Sequence, residues 1–300
     1  MQRVRTGLVA NAELELRGRT PRESREHKGE HAIAELPLRD ARGGTLHDHP
    51  GPRIYYGSFQ FPSGGGTNAA RCPDGDSDAS PALVIGFVGG FVHSDDLRHA
   101  EVQMAQQIQA TYGNGVHVQI FENRRRAKAH ELLLDWLNRG RDGKLTDEEK
   151  RSTRVILFGH SWGASAVVSL ARELQRDGIP VALTIQVDSV TKNGEDDSLI
   201  PANVVEAVNF YQTGGILHGR SKIRAADPSR TTILGNFRFT YEKEPAGCRA
   251  YPWYDRLLFK GHTAIECDPE VWSQIETLIR MRLPPVPQPA QTQIATRVGN

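Results

Sequence analysis

Cysteine, a charge excess of either sign and long apolar runs are all scarce in this 300-residue chain. Its three cysteines, Cys72, Cys248 and Cys267, are too few for a disulfide framework and lack the short paired spacing of a zinc site. They predict free thiols or at most one bridge. Lys and Arg number 37 against 36 Asp and Glu, a net charge of +1. Because binding to nucleic acid or to anionic membrane rests on excess positive charge, this balance argues against a dedicated binder of either kind.

No apolar run reaches the roughly 18–20 residues that a membrane-spanning helix needs, so no integral membrane segment is expected. The first residues are charged and lack the apolar core of a secretory signal. Cytoplasmic is therefore the default expectation for location, unless the natural start of the chain lies elsewhere. The sequence gives no indication of oligomeric state.

The distribution of polar residues divides the chain into three parts. Residues 1–50 are polar with clustered charge, which predicts a disordered segment. Residues 51–283 contain the apolar segments and are expected to form one α/β domain. Within it, the less regular stretch 191–255 is a possible cap or insertion. Residues 284–300 begin with a proline-rich run and are expected to form an extended tail.

Apolar strand patterns and amphipathic helix patterns alternate through the middle of the chain. Strands are predicted at 81–91, 116–122, 154–159 and 181–190, with a further strand-like stretch at 230–242, and helices at 95–111, 127–138, 162–176 and 269–282. Strands that are apolar on both faces and are separated by helices predict a mostly parallel central sheet with helices on both faces.

The strongest chemical motif is GHSWG, a G-x-S-x-G at 159–163. An apolar strand leads into it and a helix rich in small residues leaves it, as a nucleophile elbow requires. Such a turn exposes a serine hydroxyl at its tip, so Ser161 is the predicted nucleophile. The alternative is an ordinary glycine-rich turn with an idle serine.

A serine hydroxyl needs a base and an orienting acid, in the chain order Ser, Asp, His. Asp188 ends the strand after the elbow and is the predicted acid, whereas Asp196 and Asp197 are expected to be solvated charges. Of the two later histidines, His262 precedes the last helix and is preferred to His218 as the base. Its segment is expected to be a loop.

The oxyanion hole should combine two backbone N–H groups. Trp162, directly after the nucleophile, supplies one. The second is expected from the glycine-rich turn GFVGGF, with Phe91 preferred and Gly90 as the alternative. In the same segment, Asp95 is a candidate cap for a helix starting at Asp96.

A loop at 138–149 has the length of an EF-hand calcium loop. Asn138, Asp142 and Glu149 stand at ligand positions, but the third position is Gly140, which has no side-chain ligand. They are weak calcium candidates, and a charged surface loop is the simpler interpretation. No metal ion is predicted.

The motifs GFVGGF, GHSWGA, VDS and GHT, in this order, resemble the α/β-hydrolase superfamily, and more narrowly its bacterial lipase- or esterase-like members. The resemblance covers about residues 80–283. It implies a serine hydrolase that acts on a small-molecule acyl ester through Ser161, Asp188 and His262, without a cofactor. Many members place the acid after a later strand, in which case Asp255 is the fallback.

Several functions share this arrangement of residues. Thioesterase, amidase and acyltransferase activities use the same triad, because the pocket rather than the fold determines the substrate. A catalytically inactive hydrolase-fold binding module is the alternative from another class.

Overall fold

The structure is a computed structural model that describes residues 81–140, 142–191 and 195–286. The strands, in chain order, are β1 Ala82–Val88, β2 Val116–Glu122, β3 Arg154–His160, β4 Val181–Val187, β5 Leu199–Ile200, β6 Val204–Gln212, β7 Arg224–Ala225 and β8 Thr232–Phe239. Six of them form one sheet in the order β2-β1-β3-β4-β6-β8, and every neighbouring pair is parallel. The two-residue strands β5 and β7 pair separately.

Helices cover both faces of this sheet. The helices are α1 Ala100–Tyr112, α2 Arg126–Leu137, α3 Asp147–Arg151, α4 Trp162–Arg176, α5 Trp253–Leu258, α6 Lys260–Glu266 and α7 Pro269–Arg280. Apolar residues of α1 and α7 pack on one face of the sheet, and those of α2 and α4 pack on the other. Along β1, Val84 and Val88 enter the first core while Leu83 and Phe87 enter the second, as the alternation of side chains along a strand requires. The predicted parallel α/β sheet is confirmed.

Most predicted elements lie within one to three residues of the observed ones, and β2 and α4 have the predicted bounds. The start of α1 was predicted wrongly, because the helix begins at Ala100 rather than at Asp96. The carboxylate of Asp96 accepts the backbone N–H of Arg98 and pairs with its guanidinium, forming a separate turn. Residues 95–99 thus precede the helix, and Asp95 does not cap it.

Six of these helices and strands were not predicted. The helices α3, α5 and α6 have only five to seven residues and the strands β5 and β7 only two, too few for a periodic pattern to be recognised. The strand β6 lies in the stretch 191–255, for which a cap was considered, and it forms part of the central sheet together with β8. The cap remains a prediction for the remainder of that stretch.

Cys248 and Cys267 form a disulfide, the single bridge that the sequence left open. It joins the turn at Ala246–Ala250 to the end of α6. The third cysteine, Cys72, and the predicted disordered segment 1–50 lie outside the described residues. So does the tail from residue 287 onward. Within the described ranges, no helix combines the length and apolar character needed to cross a bilayer.

Candidate active site

A sharp turn between β3 and α4 carries Ser161. Its backbone has φ 57° and ψ −125°, a conformation that non-glycine residues rarely adopt. Glycine is required on both sides, because a Cβ on Gly159 would lie 2.6 Å from the carbonyl carbon of Gly163, and one on Gly163 would lie 2.1 Å from the Phe87 carbonyl oxygen. The Ser161 N–H donates to the Val187 carbonyl at 2.9 Å, which fixes the turn to the end of β4.

Three side chains that are far apart in the sequence meet at this turn. His262 Nε2 lies 2.9 Å from Ser161 Oγ, and His262 Nδ1 lies 2.7 Å from Asp188 Oδ2. All three residues are buried. The structure therefore brings the predicted nucleophile, base and acid within hydrogen-bonding distance, in the relative order that proton transfer from serine to histidine needs.

Asp188 follows β4 directly and has a positive φ of 43°. Its carboxylate accepts hydrogen bonds from Gln212 Nε2 at 2.7 Å and from the Gly219 N–H at 2.8 Å. Burial acts to raise the pKa of Asp188, but the hydrogen bond from His262 and those from Gln212 and Gly219 outweigh it, and the pKa is lowered. The carboxylate is thus held ionised beside the imidazole.

His262 lies inside the short helix α6, not in the loop that the sequence predicted. A Cβ on the preceding Gly261 would lie 2.0 Å from the Gly214 carbonyl oxygen, so α6 packs closely on the chain that follows β6. The alternative base, His218, is exposed. The alternative acid, Asp255, does not take the place of Asp188, because His262 Nδ1 contacts Asp188 Oδ2.

The two competing acids after β4 differ from each other. Asp196 is exposed, as predicted. Asp197 is fully buried, so its prediction as a solvated charge was wrong. Its carboxylate accepts a hydrogen bond from Ser189 Oγ at 2.5 Å and pairs with Arg220 Nε at 2.8 Å. Asp197 therefore joins Ser189, the residue after Asp188, to Arg220, the residue after Gly219, rather than contacting His262.

The glycine-rich turn after β1 lies directly against Ser161. A Cβ on Gly89 would come within 3.0 Å of Ser161 Cβ, and Gly90 has a positive φ of 43°. The ring of Phe91, which is 80% exposed, meets the ring of Trp162 edge to face at 5.5 Å. Phe91 and Trp162, both predicted to supply the oxyanion hole, are therefore neighbours.

The amide of Asn123, a buried residue after β2, supports this turn. Its Nδ2 donates to the carbonyls of Val88 at 3.1 Å and Gly90 at 2.6 Å. Neither Asn123 nor Gln212 was identified from the sequence. Both are polar residues at the carboxyl end of a parallel strand, the edge where Ser161 and Asp188 also lie, and that position is the signal that could have identified them.

The loop at 138–149 uses its acidic groups locally. The Glu149 carboxylate accepts hydrogen bonds from the N–H groups of Gly140 and Thr146 and completes a capping box at the start of α3. Asp142 Oδ1 accepts the Lys144 N–H at 3.0 Å. Calcium binding at Asn138, Asp142 and Glu149 remains a weak prediction, since two of the three groups already have backbone partners.

A second buried group of titratable residues lies behind the triad and was not predicted. His160, inside the elbow, places its ring 4.6 Å from the ring of His262. Glu266 Oε2 lies 3.6 Å from His160 Nδ1, and Glu266 Oε1 contacts His99 Nδ1. Glu101 completes the group. Burial lowers the pKa of His160 to about 4, so this imidazole is neutral at physiological pH.

No family model and no curated protein sequence matches the chain. Among solved structures it is similar to a cutinase-like protein from Cryptococcus sp., with a TM-score of 0.38, 14% identity and coverage of 69% of this chain and 97% of that one. It is also similar to a thermostable esterase from Pseudomonas putida (TM-score 0.36, 11% identity, coverage 68% and 74%). The RedJ thioesterase from Streptomyces coelicolor matches with a TM-score of 0.35, 12% identity and coverage of 70% and 90%.

The fold itself can be assigned from the geometry of this chain. Six parallel strands lie between two layers of helices, and a sharp strand-to-helix turn carries a serine at the carboxyl edge of the sheet. An acid and a histidine follow it in the chain order of that fold. On these features, the described part of the chain has the fold of the α/β-hydrolase superfamily.

Proposed function

We propose that this chain is a serine hydrolase that cleaves carboxylic esters through an acyl-enzyme formed on Ser161. The observation that carries the proposal is the pair of hydrogen-bonding distances at His262, 2.9 Å to Ser161 Oγ and 2.7 Å to Asp188 Oδ2. A serine hydroxyl is a weak nucleophile unless a neighbouring base removes its proton, and this arrangement provides that base.

In the proposed mechanism, Ser161 Oγ attacks the acyl carbonyl while His262 Nε2 accepts its proton. The proton then passes from Nε2 to the leaving alcohol. His262 Nδ1 keeps its own proton in a hydrogen bond to the Asp188 carboxylate, so the ring stays in the tautomer that can act as a base. A water molecule then gives a proton to Nε2 and attacks the acyl-enzyme. The same nitrogen returns that proton to Ser161 Oγ as the carboxylic acid leaves.

The negative charge that develops on the carbonyl oxygen needs hydrogen-bond donors. The backbone N–H of Trp162 lies at the start of α4, where the helix dipole also favours negative charge. The N–H of Phe91, or that of Gly90, would approach from the other side, and each such donor is typically worth about 3–4 kcal/mol of barrier. The contact between Phe91 and Trp162 supports this pairing.

A fluorophosphonate probe followed by a p-nitrophenyl ester series tests the proposal. The wild-type protein should be labelled once, on Ser161, and should hydrolyse at least one ester of the series. Ser161→Ala should abolish both the labelling and the ester hydrolysis. Ser165→Ala, at a buried serine in α4, should keep both. A folded wild-type protein that is neither labelled nor active would contradict the proposal and favour the inactive binding module.

A further inference from the structure

The buried group behind the triad gathers four metal-binding side chains from separate elements. His99 precedes α1, Glu101 lies in its first turn, His160 ends β3 and Glu266 ends α6. One ligand atom each from His99, Glu101 and Glu266 lie within 4.8 Å of one another. His160 Nδ1 faces the same Glu266 carboxylate at 3.6 Å. Three of the four side chains, those of His99, Glu101 and Glu266, thus converge on one point, and His160 lies beside it.

Several of these polar atoms lack a hydrogen-bond partner among the described residues. Both carboxylate oxygens of Glu101 and both ring nitrogens of His160 are buried without one. Glu101 is fully buried and His160 is 2% exposed. Buried polar groups in proteins are normally satisfied, so an unsatisfied carboxylate and imidazole at one place need an explanation such as an ion.

The buried negative charge of the group also indicates a bound cation. An ionised carboxylate in a protein interior costs several kcal/mol unless it is paired. Across the described ranges, no Lys or Arg forms an ion pair with Glu101 or Glu266, and Glu266 pairs only with histidines.

We propose that His99, Glu101 and Glu266 form a binding site for a divalent transition-metal ion of the zinc class, with His160 beside it. Imidazole nitrogen and carboxylate oxygen are ligands that zinc accepts in four-coordinate sites, with bonds of about 2.0–2.2 Å. Such bonds place tetrahedral ligand atoms about 3.3 Å apart, and the ligand atoms of His99, Glu101 and Glu266 lie within 4.8 Å of one another. The ion would link the start of α1 to the end of α6.

A cavity lies next to the chain around His99. Its volume is about 240 Å³, and it is lined in part by Arg98, Ala100 and Tyr251, the chain neighbours and ring contact of His99. None of Ser161, Asp188 or His262 lines it. The proposed metal site does not depend on the proposed ester hydrolysis.

Titration of the full-length, tag-free, chelator-treated protein with ZnCl₂ in a calorimeter tests the proposal. We expect one ion per chain and a rise in melting temperature, and Co²⁺ in place of Zn²⁺ should give a visible d–d absorption band. Glu101→Gln keeps the shape but removes the charge, and should weaken zinc binding at least tenfold. Glu131→Gln, on the exposed face of α2, is the matched control and should bind like the wild type.

A folded, metal-free wild-type protein that takes up neither ion at a ratio of one would overturn the proposal. Equal zinc affinity in wild type and Glu101→Gln would do the same. If Glu101→Gln fails to fold, His99→Asn is tested in its place. If neither variant folds, the zinc titration of the wild type decides. Fluorophosphonate labelling of the same preparation distinguishes the two proposals, because labelling without zinc binding removes only the metal site.

Discussion

At the scale of single residues, two members of the triad have backbone conformations that favour glycine. Ser161 has φ 57° and Asp188 has φ 43°. Such conformations typically cost about 1–3 kcal/mol each and persist only where the surroundings impose them. Here the Ser161 N–H donates to Val187, and the Asp188 N–H donates to Phe210 at 2.7 Å. Neighbouring strands thus fix the positions of both side chains before substrate arrives.

Replacing Asp188 by asparagine tests the role of the acid. The new amide would present an N–H to His262 Nδ1, which favours the tautomer whose Nε2 carries the proton and cannot act as a base. We expect kcat for a p-nitrophenyl ester to fall about 10⁴-fold with little change in KM. A loss of less than tenfold would show that the carboxylate does not orient the base.

The lowered pKa of Asp188 also predicts a pH dependence of stability. Because the folded-state pKa lies below the ordinary 3.8, the carboxylate stabilises the fold above that pH, and this contribution is lost as the pH falls through the folded-state pKa. The urea-unfolding free energy of the wild type should therefore fall more steeply from pH 5 to pH 3 than that of Asp188→Asn. Parallel curves for the two proteins would contradict this.

At the scale of elements, the carboxyl ends of the strands carry the site and its supports. Asn123 after β2, Ser161 after β3, Asp188 after β4 and Gln212 at the end of β6 lie along one edge of the sheet. Parallel strands all end at the same edge, so residues 35 and 24 positions apart in the chain become hydrogen-bonded neighbours.

Asn123→Ala tests whether the turn after β1 must be held in place. The substitution removes the donors to Val88 and Gly90, so we expect kcat to fall about 10- to 100-fold, less than the 10²–10³ of deleting an oxyanion donor. KM should change little, and the free energy of unfolding should drop by about 1–3 kcal/mol.

Asn203→Ala is the matched control for that substitution. Asn203 Nδ2 also donates to two carbonyls, those of Ala171 and Ile179, between α4 and β4 and away from the triad. It should lower stability by a similar amount and leave kcat unchanged. Equal losses of kcat in the two variants would show that Asn123 acts only through stability.

The sequence predicted the long periodic elements well and the short ones poorly. The pattern of α4 extends over 15 residues and its bounds were predicted without error. The helix α6 has seven residues, and its conformation depends on packing against the chain after β6, which no local pattern reports. The sequence therefore identified His262 but not the helix that carries it.

At the scale of the whole molecule, the disulfide constrains the segment that carries the base. Cys248 and Cys267 are 19 residues apart, and His262 lies between them. Closing a loop of this size typically contributes about 3 kcal/mol. Cys248→Ser should lower the free energy of unfolding by about 2–4 kcal/mol, and a reductant should lower it in the wild type but not in the variant.

Urea titrations with and without reductant measure this effect. Cys72→Ser serves as the control, since it leaves the bridge intact and should keep the response to reductant. An unfolding midpoint that reductant does not change in the wild type would show that the bridge contributes nothing to stability.

The two groups of buried polar residues differ in whether the sequence could predict them. Chain order and strand position were enough to select Ser161, Asp188 and His262, because each lies in a local pattern. The group of His99, Glu101, His160 and Glu266 has no such pattern, since its members come from elements up to 167 residues apart. Only packing brings them together, so a motif search could not have found them.

The order of the triad along the chain has a consequence for biosynthesis. A ribosome adds Ser161 and Asp188 first, and His262 comes 74 residues after Asp188. Until then the growing chain lacks the imidazole that we propose as the base. Under the proposed mechanism, a nascent or prematurely terminated chain therefore cannot form the acyl-enzyme.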